Sequence, residues 1–360
     1  MHSSTSNSEP TVYLRLLPRF SFWRRIVTFT AILTLTALGS VERYARANEY
    51  PILFQTNPAL WATQWLTLDD SPNDQTVIIG ASRCIFRLNL GTWEQETDTR
   101  PIILAWSGSL PHPTLNLLTQ RKGFRGLVVC GIAPSFSFSH PSEPQHEYLQ
   151  KNIEAMHILR YSLSYHIGTP VKRFLKHRFR CLNQIALGAI HTLLEKMVFA
   201  DRDGLQATFL SIPWMNHQEN LQSKYLDSAA ENEEFMKRVT ALWQRIIDQR
   251  VIHGAADVDS LLESYKANVQ RINDRGGQVV FIRHPGSGDF LTFETEHYPR
   301  DRFFDRLCKE TGYFGIHFED YPEFANLQCP EWSHLTPQDA NNYTRKLIEL
   351  LKQKQLVSTQ

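Results

Sequence analysis

Two segments of this 360-residue chain carry side chains that chemistry can use. The first is Val77-Ile78-Ile79-Gly80-Ala81-Ser82-Arg83, an apolar run that ends in Gly-x-Ser. The second, about 250 residues later, is Glu331-Trp332-Ser333-His334. A serine hydroxyl is a weak nucleophile until a neighbouring base takes its proton. Histidine is the usual base, and a carboxylate can hold its ring in the productive tautomer. The order here is Ser82, then Glu331, then His334. A serine at the C-terminal tip of a buried strand faces the crevice where open α/β sheets bind ligands. Its own amide, opening the next helix, is placed to donate to a developing oxyanion. Taken singly, each segment also has an ordinary reading. A serine after a strand commonly caps a helix, and Glu-x-x-His is commonly a surface pair.

Further candidates stand after other strand-like runs. Gly108, in Trp106-Ser107-Gly108-Ser109, lets the backbone approach a ligand and donate an N–H, or simply makes a turn. Arg283 opens Arg283-His284-Pro285-Gly286-Ser287-Gly288. With Arg83 and Ser287 it is a candidate to bind a carboxylate or phosphate of a substrate. The alternative is a structural Arg–Glu pair in a loop that also holds Glu296 and Arg300. Asp320 is a second carboxylate for His334. His157, His166, His191 and His253 lack ligand spacing. The five cysteines, Cys84, Cys130, Cys181, Cys308 and Cys329, form no C-x-x-C, which speaks against a zinc site and against a dense disulfide framework. Cys308 and Cys329 are the pair to consider if the protein is exported. No metal or organic cofactor is implied. A formal net charge of +1 gives no reason to expect a nucleic-acid partner.

These residues need a scaffold that brings distant strand ends together. With 42% hydrophobic and 21% charged residues, the chain can bury a sizeable core. Residues 76–82, 101–106, 126–132, 278–283 and 314–318 read as buried strands. Residues 257–275 read as a helix with Leu261, Leu262, Tyr265, Val269 and Ile272 on one face, stopped at Gly276-Gly277. Thr336 and Pro337 read as the start of the last helix, whose apolar face holds Leu347, Leu350 and Leu351. This alternation predicts an α/β fold, a doubly wound parallel sheet spanning residues 70–360. Residues of about 140–256 break the rhythm and read as a mostly helical insertion. It carries a basic run, Lys172, Arg173, Lys176, His177, Arg178 and Arg180. That run is either a solvated face or a contact for anionic headgroups or an acidic glycan.

The N-terminus is a membrane address. Residues 1–22 read as a disordered cytoplasmic tail, with Arg15, Arg19, Arg24 and Arg25 before the charge-free run Ile26 to Val41. Positive charge on that flank holds it in the cytoplasm. A signal-anchor over 23–45 leaves the rest of the chain outside the cytoplasm. The alternative is a signal peptide cleaved near Ala47, at Ala45-Arg46-Ala47, and a secreted or periplasmic product.

On Gly80-Ala81-Ser82-Arg83, Gly108 and Glu331-Trp332-Ser333-His334-Leu335, the chain resembles the SGNH/GDSL-type hydrolase superfamily. It is most similar to the membrane-anchored extracytoplasmic branch that includes D-alanine transfer and alginate acetylation proteins. The resemblance covers about 75–135 and 275–350 and implies a flavodoxin-like sheet. It also implies Ser82 as nucleophile, His334 as base, Glu331 as acid, and the amides of Ser82 and Gly108 as oxyanion donors. An O-acylated glycan is the implied substrate, and a membrane-bound acyltransferase a possible partner. Two positions depart from the pattern. The family acid is usually Asp, and the third block usually offers Gly-x-Asn where this chain has Gly131-Ile132-Ala133, with Ser135 or Asn116 as candidate replacements. A non-catalytic glycan-binding or assembly protein on the same fold is the rival expectation.

Overall fold

The structure is a computed structural model and describes residues 19–47, 54, 56–138, 143–182, 215–226, 229, 231–253 and 257–357. The expected tail over residues 1–22 lies outside the described residues except for its last four.

A continuous apolar run buried on both faces is what a central parallel strand requires. Strand β3 (Leu127–Ile132) is buried at all six positions. It pairs in parallel with β1 (Val77–Ile79) on one side and β6 (Gln278–Arg283) on the other. Strands β2 (Ile102–Ile103) and β7 (Gly315–His317) close the two edges, giving the parallel order β2-β1-β3-β6-β7. Each lies inside a run expected to be a strand. β2 is shorter than expected, but Leu104 N and Trp106 N still donate to Ile78 O and Gly80 O, so pairing continues toward the site.

Helices α5 (Pro111–Gln120) and α10 (Val258–Asn273) pack on each other and against β1, β3 and β6. Helix α14 (Pro337–Gln353) packs against α3 (Ser82–Arg87) and α4 (Leu90–Thr97). The start signals act as expected. Asp257 accepts from Ser260 N at the N-cap of α10, and Thr336 Oγ1 accepts from Asp339 N at 3.1 Å. An α/β architecture is therefore observed.

Between β3 and β6 lies the insertion. Its described parts are α7 (Glu143–Arg160), α8 (Leu163–Arg178), a small antiparallel ribbon of β4 (Met215–His217) and β5 (Ser223–Tyr225), and α9 (Glu233–His253). The ribbon was not expected: three-residue strands give no period to read. α7 lies along α2 (Pro58–Asp69), β5 abuts α3, and α9 abuts α11 (Gly288–His297). The insertion is thus docked on the sheet domain, close to Ser82. Helix α1 (Phe20–Ala47) is a single 28-residue helix, long and apolar enough to cross a membrane.

The centre of the sheet is packed too tightly for a side chain at Gly131. A Cβ there would lie 2.0 Å from Cys84 Sγ and 3.1 Å from His284 Nε2. Gly131→Ala is expected to cost about 1–3 kcal/mol through overpacking, read as a lowered melting temperature of the detergent-solubilised chain. Unchanged melting would contradict this packing.

Candidate active site

Ser82 stands at the first position of α3, just past the C-terminal end of β1. The turn that puts it there depends on Gly80, whose φ of +136° is open only to glycine. A Cβ at Gly80 would also come within 2.8 Å of Gly131 O and of Cys84 Sγ. Ala81, not Ser82, occupies the N-cap position. The hydroxyl is not spent on capping, and Ser82 Oγ lies 2.9 Å from His334 Nε2. The two residues from opposite ends of the sheet domain do meet.

His334 is held from several sides. Its Nδ1 is 3.0 Å from Glu331 Oε1 and 3.1 Å from the hydroxyl of Tyr225. The His334 amide also donates to Glu331 Oε1, and Trp243 Nε1 donates to Glu331 Oε2. Glu331 is wholly buried and accepts from donors on both oxygens. A proton on Nδ1, facing the carboxylate, leaves Nε2 to accept from Ser82, the tautomer a general base needs. The Phe86 ring covers the imidazole at a centroid distance of 4.3 Å. The longer acid causes no misfit, since Glu331 Oε1 meets both Nδ1 and the amide of His334, and Trp332 between the two residues takes φ +75°.

Burial pulls the His334 pKa below its ordinary value. Glu331 opposes this, and the charges of Arg87 and Arg83 add to it. The ring is therefore neutral at neutral pH. Burial, with the Glu331 charge next, pushes Tyr225 well above the usual phenol range, so it remains a hydroxyl.

The sequence reading missed Tyr225 and Trp243, both contributed by the insertion. Lys224 is exposed between buried Ser223 and Tyr225, an alternation too short to stand out. Trp243 sits in an ordinary helical stretch. Neither neighbourhood carries a motif.

Arg83, Arg283 and Ser287, expected to touch substrate, are committed inward. Arg83 Nη1 and Arg283 Nη2 both pair with Glu294 Oε2, at 2.8 and 2.7 Å. All three of these charged residues are buried. The structural Arg–Glu alternative is the one the fold uses, with Glu294 rather than Glu296 as the partner. Ser287 Oγ accepts from Cys329 N, and Ser287 N donates to Trp332 O, so Ser287 fastens the Glu331–His334 loop. Arg87 does so as well, donating to Ser333 O and to Cys329 Sγ. Ser135, a candidate replacement for the missing Asn, donates to Glu294 Oε1 instead. Asp320 pairs with Arg300 and does not serve His334. Cys308 and Cys329 are both thiols.

Gly108, at φ +70°, lies in a turn anchored to Gly80, two residues before Ser82. Trp106 N and Ser109 Oγ both donate to Gly80 O, at 3.0 and 3.1 Å. A cavity of about 30 Å³ opens next to it, lined by Trp61, Trp106, Leu110, Tyr148 and Asn152 among others. Larger surface grooves of about 790 and 980 Å³ are lined by none of Ser82, Gly108, Glu331 or His334. Among the described residues, no group of three or more His, Cys, Asp or Glu is placed to hold a metal ion.

No protein-family model matches the chain. No curated protein matches it in sequence either. What the site can do must therefore be read from its own geometry.

Burial pushes the Glu294 carboxyl upward, but Arg283 and Arg83 outweigh it and hold it below the usual range. Glu294→Gln would leave two buried guanidinium groups without a counter-charge. Losses of about 3–5 kcal/mol follow from breaking such pairs, measurable by chemical denaturation. A loss within about 0.5 kcal/mol, the range of an ordinary surface substitution, would refute the role given to this carboxylate.

Proposed function

We propose that this protein is a membrane-tethered serine esterase or O-acyltransferase whose catalytic domain lies outside the cytoplasm. The single observation that carries the reading is the unbroken hydrogen-bonded line from Ser82 Oγ through the His334 ring to Glu331. Nucleophile, base and orienting acid stand in contact with no ligand needed to assemble them.

In this reading Ser82 Oγ attacks an ester carbonyl while His334 Nε2 takes its proton. The amides of Ser82 and Gly108 receive the oxyanion. Glu331 steadies the imidazolium, with Tyr225 and Trp243 fixing the carboxylate. His334 then returns the proton to the departing alcohol, leaving an acyl-serine. Water, or a hydroxyl of an acceptor, attacks that ester with His334 again as base. The parallel order β2-β1-β3-β6-β7 supports a flavodoxin-like, SGNH-type sheet with its crevice near β1 and β3. The substrate class, an O-acylated cell-surface or exported glycan, rests on the family resemblance, as does a membrane-bound acyltransferase partner.

Retention of α1 is supported by its own packing. Ala45 is fully buried, and Glu42 and Arg46 bond to Cys181 N and Arg178 O. Cleavage near Ala47 would discard those contacts. The arginines before the apolar run place the preceding tail inside.

Ala133 favours the rival reading of a non-catalytic glycan-binding or assembly protein, because it offers a methyl where the family offers a carboxamide. Removing one oxyanion donor costs roughly 10²–10³ in rate in well-studied hydrolases. Two measurements separate the readings. Ser82→Ala should abolish covalent labelling by a fluorophosphonate probe, and equal labelling of mutant and wild type would eliminate the esterase assignment. The labelling rate should rise with pH through a midpoint below 6.5, because the base acts only when neutral and its pKa is lowered. Glu331→Gln removes the charge that opposes this lowering. It should shift the midpoint further down and slow labelling by about 10²–10⁴.

A further inference from the structure

Helix α8 has one face docked on the domain and the other facing outward. On the docked side, Tyr165 OH donates to Thr63 Oγ1 at 3.0 Å, Arg173 pairs with Glu219 at 2.8 Å, and the Lys176 ammonium sits 4.5 Å from the Phe54 ring centre. On the outward side, Leu163, Ile167, Val171, Phe174 and Leu175 fall at spacings of four, four, three and one. That is a single helical stripe. Their exposures of 72, 61, 53, 65 and 37% mean that no described neighbour covers them. A row this apolar is not left to water without a reason.

The position of α8 relative to α1 supplies the reason. Twenty-eight helical residues span about 42 Å, while a bilayer core is about 30 Å thick. The last turns of α1, with Glu42, Arg43 and Arg46, therefore emerge at the level of the lipid headgroups. Those turns hold the end of α8: Arg46 Nη2 donates to Arg178 O at 2.8 Å, and Cys181 N donates to Glu42 Oε2 at 2.8 Å. The C-terminal end of α8 is thus pinned at headgroup depth. Phe179 and Leu182, 39 and 38% exposed, extend the apolar surface at that end. Arg178, at the C-terminal end of the stripe, is an exposed basic residue at this level, and Lys172 is exposed on the flank toward the docked face. An apolar stripe bordered by basic residues suits the boundary between acyl chains and anionic headgroups.

We infer that α8 is an interfacial helix. It lies on the surface of the bilayer that α1 crosses, with Leu163, Ile167, Val171, Phe174 and Leu175 among the upper acyl chains and basic residues at the anionic headgroups. The inference rests on reading α1 as a membrane span and is independent of the chemistry at Ser82.

The test uses the full chain in nanodiscs of phosphatidylcholine and phosphatidylglycerol. Ile167→Cys and Phe174→Cys, each labelled with an environment-sensitive nitrobenzoxadiazole dye, are compared with Lys346→Cys on α14, with labelled wild type as background. The expected result is blue-shifted emission at 167 and 174, quenched several-fold by lipids spin-labelled high on the acyl chain, and no quenching at 346. Water-like emission at 167 and 174 overturns the inference. So does shielded emission that lipid quenchers do not reach, because another part of the chain or a second copy then covers the stripe. Alkaline carbonate extraction separates the two layers of argument. A chain that washes out of membranes overturns both the span and the interfacial helix. A chain that stays, with 167 and 174 unquenched, overturns the interfacial helix alone.

Discussion

Three guanidinium groups lie buried behind Ser82, and the carboxylate of Glu294 is shared by two of them, Arg83 and Arg283. Much of the site's geometry follows from this arrangement. Arg83 and Arg87 sit one helical turn apart on α3, whose first residue is Ser82. Arg83 Nε reaches Ser333 Oγ at 3.5 Å, and Arg87 donates to the Ser333 carbonyl. Ser82 and the segment that carries His334 are thus tied together through one short helix. Arg283 carries the same connection to β6, so the ends of β1 and β6 and the Glu331–His334 loop form one polar unit inside an apolar core.

Such a unit is costly. Ions removed from water lose several kcal/mol of solvation each, and pairing recovers this only with good geometry. Here the recovery is incomplete. Arg83 Nη2 and Arg87 Nε and Nη1 are buried with no hydrogen-bond partner among the described residues. The surplus positive charge acts on His334, where it adds to burial in keeping the imidazole neutral. Glu331 pulls the other way. The proton affinity of His334 is therefore set first by burial and then by charges of opposite effect, Glu331 raising it and Arg87 and Arg83 lowering it.

The sheet was legible because buried parallel strands read as unbroken apolar runs: residues 278–283 were delimited correctly, and residues 126–132 to within one position. Ser82 and His334 were legible because Gly-x-Ser and Glu-x-x-His stand where strands and helices change over. Arg83, Arg283 and Ser287 misled for a physical reason. A charged residue at a strand end can face the crevice or the interior, and only the packed partner, Glu294, eleven residues beyond Arg283, decides which. Tyr225 and Trp243 could not be found at all. Their roles arise from docking an insertion onto the sheet, and no local spacing encodes that contact.

Ser82 and His334 are 252 residues apart along the chain, and Ser82 follows closely behind α1. During synthesis, Ser82 emerges long before His334. Until the C-terminal segment arrives and α14 closes against α3, the hydroxyl has no proton acceptor beside it. The wide separation therefore defers the contact: a chain that ends before its C-terminal segment holds Ser82 with no imidazole beside it.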